Sequence, residues 1–337
     1  MAIRSRHGAG WRCDRIAGVN EDVREAAAQF WDQESVSPTH VSWMAEPRVR
    51  DYINESISGS RHVWPMDWFL EFLGKRRFRR ALSIGCGTGP LERDLIRRGI
   101  CQQVDAFDGS PRSIEIAQEL ASEEGVADRI HYYVDDFNDP KLPASTYDIV
   151  FFHQSLHHVA KIERLAGTIL RTLRRGGLLY IDEYIGPSRR DWNDDLIAPH
   201  RAVFARVPAE AKLSDPLPLP IHATDPSEAI RSSDIMPQLA RGFRVLALRN
   251  YGGTILSVLF PSIDWSHAPK SLVDELIAAE REALANGLPS YHTIALATPK
   301  RVPFRWIARA VYFAAPKLRR LRWEILTRLR PNQYVEF

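Results

Sequence analysis

Apolar positions change period along the chain, and each change marks an element. Between residues 20 and 75, Val23, Ala26, Ala27 and Phe30 recur at helical spacing, and the aromatic-rich stretch WPMDWFLEFL continues the block. A helical cap is expected over 1–75. From residue 76 the pattern becomes strand, helix, strand. FRRALSI reads as a strand running into glycines, and PLERDLIRR as a short helix with Leu91 and Leu95 on one face and Gly99 as its stop. QQVDAFD is the second strand. Ser110-Pro111 then opens a helix, Ser as N-cap and Pro in the first turn, which buries Ile114, Ala117 and Ala121 and stops at Gly125. IHYYVDD and YDIVFFH are strands three and four. The next helix carries Ile162, Leu165, Ile169 and Leu173 on one side and ends at Gly176-Gly177, before LLYIDEY as strand five.

Strands separated by helices of this length predict right-handed crossovers and a doubly wound sheet. Residues 187–237 break the rhythm with prolines from Pro199 to Pro237 and little strand pattern, as expected for a lid or insertion. FRVLALRNY and YHTIALAT read as two closing strands, with the helix PKSLVDELIAAEREALANG between them. The expected fold is α/β: a Rossmann-like, seven-stranded, mostly parallel sheet over 76–300.

Composition changes this picture in two places. No apolar run reaches the roughly 18 residues of a membrane span, and the basic N-terminus lacks a secretory apolar stretch. The three cysteines, Cys13, Cys86 and Cys101, lack metal-ligand spacing and suit a reducing cytoplasm. Charge is uneven. Residues 301–337 hold nine Lys/Arg against two Glu, more than the whole-chain excess of +3, so the body is acidic on balance. In that tail Phe304, Ile307, Val311 and Ala314, then Leu318, Leu321, Ile325 and Leu329, follow helical spacing with arginines opposite. A basic amphipathic helix of this kind docks on its own domain or a second copy, or lies on the inner face of an anionic membrane. The oligomeric state stays open.

The chemistry gathers at strand ends, where open parallel sheets bind ligands. Gly85, Gly87 and Gly89 are spaced G-x-G-x-G, not the G-x-G-x-x-G of dinucleotide turns, which favours a ligand without pyrophosphate. Asp108 ends strand two near the offset at which an acid accepts from ribose hydroxyls. Asp136 and Phe137 follow strand three, where a carboxylate can accept from an adenine amino group and a ring can pack on the base. His153, His157 and His158 follow strand four. Asp182 and Glu183 end strand five with opposite facing, and Glu183 is preferred because it leads into the loop from Tyr184. The histidines and Glu183 are the candidates for proton handling. No compact ligand set is visible, so no metal is expected. An N/D-P-P-Y/F motif is absent after strand four, which reads Phe152-His153-Gln154-Ser155, and no nucleic-acid acceptor is expected.

The pieces LSIGCGTG, VDAFDGSP, VDDFNDPKLP with YDIVFF, SLHHV and LRRGGLLYIDE, in that order over 79–185, resemble the class I S-adenosylmethionine-dependent methyltransferases. They are most similar to the small-molecule branch that includes the quinone-biosynthesis C-methyltransferases. The resemblance implies that Gly85, Gly87 and Gly89 lie along the methionine and ribose of S-adenosylmethionine, that Asp108 binds the ribose, that Asp136 and Phe137 flank adenine, and that His153 lines the cleft. The expected reaction is methyl transfer to a small-molecule acceptor, or to a lipid-linked one if the basic tail meets a membrane, with a hydroxyl oxygen favoured; an NAD-dependent oxidoreductase and a non-catalytic cofactor-binding relative are the alternatives. One departure stands out. The family commonly has an acid two residues before the first glycine, and Ser83 occupies that position, with Glu92 in the following helix as the nearby carboxylate.

Overall fold

The computed structural model describes residues 21–36, 42–74 and 76–300. The basic tail, 301–337, lies outside the described residues. Helices α1 (Glu21–Val36), α2 (Pro47–Ser58) and α3 (Pro65–Leu73) precede the sheet. Then follow β1 (Phe78–Ile84), α4 (Pro90–Arg97), β2 (Cys101–Asp108), α5 (Pro111–Glu123), β3 (Ile130–Val134) and β4 (Tyr147–His153). The second half is α6 (Ile162–Thr172), β5 (Leu173–Tyr184), α7 (Asp194–Phe204), α8 (Ile235–Gly242), β6 (Phe243–Gly252), α9 (Leu256–Leu259), α10 (Leu272–Ala285) and β7 (His292–Pro299).

The seven strands lie in the order β3-β2-β1-β4-β5-β7-β6. Neighbours from β3 to β5 are parallel, while β7 is antiparallel to both β5 and β6. The strand order reverses between β1 and β4, so the ends of these two strands open a crevice.

Period-two alternation in the strands divides the core. Ala81, Ile149, Phe151, Leu178 and Tyr180 face one layer together with Ile53 of α2 and Phe69 of α3. Their neighbours Leu82, Ile84, Val150, Phe152, Leu179 and Ile181 face the other, with Leu165 and Ile169 of α6 and Leu239 of α8. Phe69 meets Tyr180 edge-on at 4.9 Å, so α3 is part of the hydrophobic layer covering the sheet. Helix α1 is placed differently. Its Asp32 accepts from the Ser110 hydroxyl (2.5 Å) and the Arg112 N–H (3.1 Å), which holds α1 across the N-terminus of α5.

One boundary differs from the sequence pattern. Leu173 is not the last residue of the α6 stripe but the first of β5, pairing with Tyr147; Leu178 then pairs with Ile149. Residues 174–177 bulge out of the ladder, and Gly176 takes a left-handed conformation there (φ +74°). The two glycines therefore shape a strand irregularity instead of stopping a helix.

Candidate active site

The turn after β1 is left-handed at Gly85 (φ +73°), Gly87 (φ +52°) and Gly89 (φ +76°). The three glycines are needed for different reasons. A Cβ on Gly85 would stand 2.3 Å from Ser155 Cβ, and one on Gly89 would stand 2.3 Å from the Tyr132 hydroxyl. A Cβ on Gly87 would meet no atom within 4 Å. Gly85 and Gly89 thus let protein pack on the turn, and Gly87 is the one that faces free space.

Asp108 ties this turn to β2. Its Oδ2 accepts from the Gly87 N–H (2.9 Å) and its Oδ1 from the Ser110 N–H (2.9 Å), leaving further lone pairs on each oxygen. Burial raises its pKa above the ordinary aspartate value; the backbone donors at Ser110, Gly87 and Gly109 oppose that shift, and the nearby Asp32 adds to it. Beside it lies a cavity of about 420 Å³, lined by Asp108, Asp136, Phe137 and His158 and walled by Ala28 and Trp31 of α1. That volume falls within the range of small-molecule sites. Asp136 is organised locally: its Oδ1 accepts from the Asn138 N–H at 2.8 Å. Gly85, Gly87, Gly89, His153, His157 and Glu183 are not part of this wall.

Residues 156–158 form a single 3-10 turn after β4, and Glu183 holds it. One Glu183 oxygen accepts from the Ser155 N–H (2.7 Å) and the Leu156 N–H (2.6 Å); the other meets His157 Nδ1 at 2.8 Å. Glu183 is fully buried and its partners are these, not Arg189 or Arg190. Its role is to position the turn. His153 is 52% exposed and stands 3.7 Å from Asp182, whose carboxylate accepts from the Tyr251 hydroxyl at 2.6 Å.

The expectation that no compact ligand set exists is corrected by the fold. Glu228, from the 187–237 insertion, comes to 3.6 Å from Nε2 of both His157 and His158. Donor atoms of the three all lie within 4.8 Å of one another, a spacing that can hold a metal ion. Seventy residues separate Glu228 from His158, so no local pattern announces it. Burial works against charge on His157, yet Glu228 and Glu183 outweigh it and raise its pKa to about 10. Burial and the neighbouring His157 charge lower that of His158. Glu228, opposed by burial but facing His157 and His158, is lowered to about 2.

Glu92 is the other residue that the fold clarifies. It is 0% exposed, and neither carboxylate oxygen has a hydrogen-bond partner among the described residues. Burial raises its pKa; the adjacent Ser83 hydroxyl is the first of the influences that oppose the shift, with the His153 charge among the others. The carboxylate therefore sits over Ser83, brought by α4 to the place beside the glycine turn where β1 itself carries only a hydroxyl. An orphaned buried carboxylate costs stability. Because its folded pKa lies above the unfolded one, the folded state keeps the proton longer. Glu92 then weakens the fold increasingly as pH rises from the ordinary glutamate value through the raised one. Glu92→Gln is expected to stabilise the ligand-free protein by about 1–3 kcal/mol at neutral pH, with the gain vanishing in acid. Urea unfolding against pH checks this, and a pH-independent difference would contradict it.

Residues 82–181 match the family described as methyltransferase domain. That stretch is similar to the class I S-adenosylmethionine-dependent methyltransferases. The matched stretch runs from β1 through most of β5 and contains the glycine turn, Asp108, Asp136 and the histidine turn. Among curated relatives, the ubiquinone/menaquinone biosynthesis C-methyltransferase of Azotobacter vinelandii is 27% identical over 139 residues, 41% of this chain and 55% of that protein. The ubiquinone biosynthesis O-methyltransferase of Methylocella silvestris is 29% identical over 166 residues, 49% of this chain and 60% of that one. The chain thus spans about half the length of these curated relatives. Among solved structures, geranyl diphosphate C-methyltransferase of Streptomyces coelicolor A3(2) aligns with a TM-score of 0.49 and 15% identity, covering 83% of this chain and 98% of that one. The insertion that supplies Glu228 and the helix that supplies Trp31 fall outside the matched domain.

Proposed function

We propose that the protein transfers a methyl group from S-adenosylmethionine to a hydroxyl oxygen of a small-molecule acceptor. The observation that supports this most is Asp108. Its carboxylate is pinned to the glycine turn by two N–H groups and presents its remaining lone pairs beside a ligand-sized cavity, as a ribose diol requires. Asp136 and Phe137 continue the same wall for the base. Glu92, buried and unpartnered beside the turn, is suited to a cationic amino group, the role left vacant by Ser83. When bound, S-adenosylmethionine supplies a sulfonium methyl whose C–S bond breaks, its electron pair passing to sulfur, as the acceptor oxygen forms the new C–O bond.

The chain's own residues do the rest. Trp31 and Ala28 cover the cavity and exclude water, which keeps the reactants aligned. His158 stands on the cavity wall with His157 behind it; Glu183 holds His157, Asp225 faces His158, and Glu228 faces both. A hydroxyl must lose its proton to become an effective nucleophile, and a histidine–carboxylate cluster suits that need; a reactive carbon acceptor needs less help. This favours oxygen over carbon. His153 and Asp182 pair at the ends of β4 and β5, 3.7 Å apart.

Thermal denaturation tests the cofactor. S-adenosylhomocysteine at about 100 times its Kd should raise Tm by about 5 °C or more, and NAD should not. Stabilisation by NAD alone would sink the reading and restore the oxidoreductase alternative. The acceptor class extends, on the basic amphipathic pattern of 301–337, to a glycolipid or other lipid-linked hydroxyl met at a membrane surface. No helix among the described residues is long and apolar enough to cross a membrane, so such contact would be peripheral. The full chain should then float with anionic liposomes and a version ending at Thr298 should not. Equal behaviour would remove the lipid-linked acceptor.

A further inference from the structure

The histidine cluster carries more negative charge than its own residues balance. Glu183, Asp225 and Glu228 surround two imidazoles. Among the described residues, the ion-pair partners of these three carboxylates are His157 and His158, and no Lys or Arg is one of them. The guanidinium of Arg189 is committed to the main-chain carbonyls of Asp225 and His222. Three carboxylates against two imidazoles gather negative charge in a largely buried place, where uncompensated charge is costly.

The hydrogen bonds say where a cation belongs. Nδ1 of His157 is held by Glu183 at 2.8 Å. Nδ1 of His158 lies 3.0 Å from the Ser227 hydroxyl, which in turn donates to Asp225 at 2.6 Å. With Nδ1 of one ring facing a carboxylate and Nδ1 of the other a carboxylate-bound serine, both Nε2 atoms turn inward. They converge on Glu228, each at 3.6 Å. Two ring nitrogens aimed at a carboxylate call for a cation between them, either a proton on Nε2 of His157 or a metal ion in its place. Imidazoles anchored from behind by acidic hydrogen-bond acceptors are the usual outer shell of a metal centre.

We propose that Nε2 of His157, Nε2 of His158 and the Glu228 carboxylate bind one first-row divalent metal ion, with the remaining coordination positions open to the cavity. Two imidazoles and a carboxylate are ligands that suit zinc, cobalt or manganese better than magnesium. The donors, now within 4.8 Å of one another, must close to about 3.4 Å for tetrahedral bonds near 2.1 Å. Glu228 already stands 3.6 Å from each Nε2, so the closure needed lies between the two imidazoles, which share one 3-10 turn. Because His158 also lines the cavity, an acceptor oxygen entering there reaches an open position of the ion. Its hydroxyl proton, made acidic by the ion, then leaves to water, and the oxygen keeps the electron pair that forms the C–O bond. That last role rests on the methyl-transfer reading; metal binding itself does not.

Cobalt(II) titration of the full chain, freed of chelators and of any polyhistidine tag, tests the site by calorimetry and visible absorption. One equivalent should bind, with the d–d bands of a nitrogen- and oxygen-bound ion. His158→Gln and Glu228→Gln should each weaken binding by about 10²-fold or more, and with Glu228→Gln, outside the cavity wall, the thermal shift with S-adenosylhomocysteine should persist. Absence of stoichiometric binding by the unaltered chain overturns the proposal, whatever the variants do. So does binding that neither substitution weakens. Cobalt bound as expected in a protein that ignores S-adenosylhomocysteine would leave the metal site standing and remove the cofactor reading instead.

Discussion

Gly85→Ala is expected to destabilise the fold by about 2–4 kcal/mol, and Gly87→Ala by much less. Both positions are left-handed, which costs a residue with a Cβ about 1–2 kcal/mol. Only at Gly85 does the new methyl also collide with protein, at 2.3 Å from Ser155 Cβ. Ser155 cannot retreat cheaply. Its hydroxyl donates to the Ile84 carbonyl at 2.7 Å, and its N–H donates to Glu183. Overpacking therefore adds about 1–3 kcal/mol to the backbone strain. At Gly87 the methyl enters the free space beside Asp108, so its larger effect should fall on cofactor affinity. Urea unfolding with parallel calorimetry of S-adenosylhomocysteine separates the two. Equal stability losses at both positions would show that the turn is not packed as described.

Asp108→Asn should lower affinity for S-adenosylhomocysteine about 100-fold while the protein stays folded. The carboxylate's two acceptor oxygens serve Gly87 and Ser110 and, on the proposed reading, would serve the ligand as well. An amide of the same size keeps one acceptor and turns two donors on partners that are themselves donors. Hydrogen bonds to a charged group are worth about 1.5–3 kcal/mol each, so losing the better part of two gives an effect of this size. Calorimetry reads it directly. Affinity within a factor of three of the unaltered protein would mean that Asp108 only shapes the turn.

What the sequence made legible was local. The glycine spacing, Asp108 at the end of β2, Asp136-Phe137 after β3 and the histidines after β4 each sit within a few residues of the strand that carries them. The alternation of strands and helices follows from periodicity, but the order β3-β2-β1-β4-β5-β7-β6 and the antiparallel β7 do not. The boundary at Leu173 was hidden because a residue that completes a helical stripe can equally begin a strand. Glu183 was legible as a candidate, but not its partners, since the N–H groups of Ser155 and Leu156 are met only when β4 and β5 align. Glu228, Asp225 and Ser227 were invisible as site residues because the insertion has no periodicity and the fold alone brings them to His157 and His158. Trp31 was masked in the same way: an exposed-looking helix face becomes a cavity wall only once Asp32 has fastened α1 to α5. Glu92 was visible as a carboxylate near Ser83, but its lack of any partner is a property of packing.

The clamp made by Glu183 has a consequence for engineering. Its two oxygens are wholly spent on joining the ends of β4 and β5, and Asp108 is partly spent on joining β2 to the turn. Strand-end residues are thus tied to the scaffold and tolerate little redesign. The side chains that close the cavity from above come from α1 and from the 187–237 insertion, which share no hydrogen-bond ladder with the sheet's parallel half. A library aimed at new acceptors should therefore randomise those two segments around Trp31, Asp32, Asp225, Ser227 and Glu228, and leave these five and the strand termini untouched.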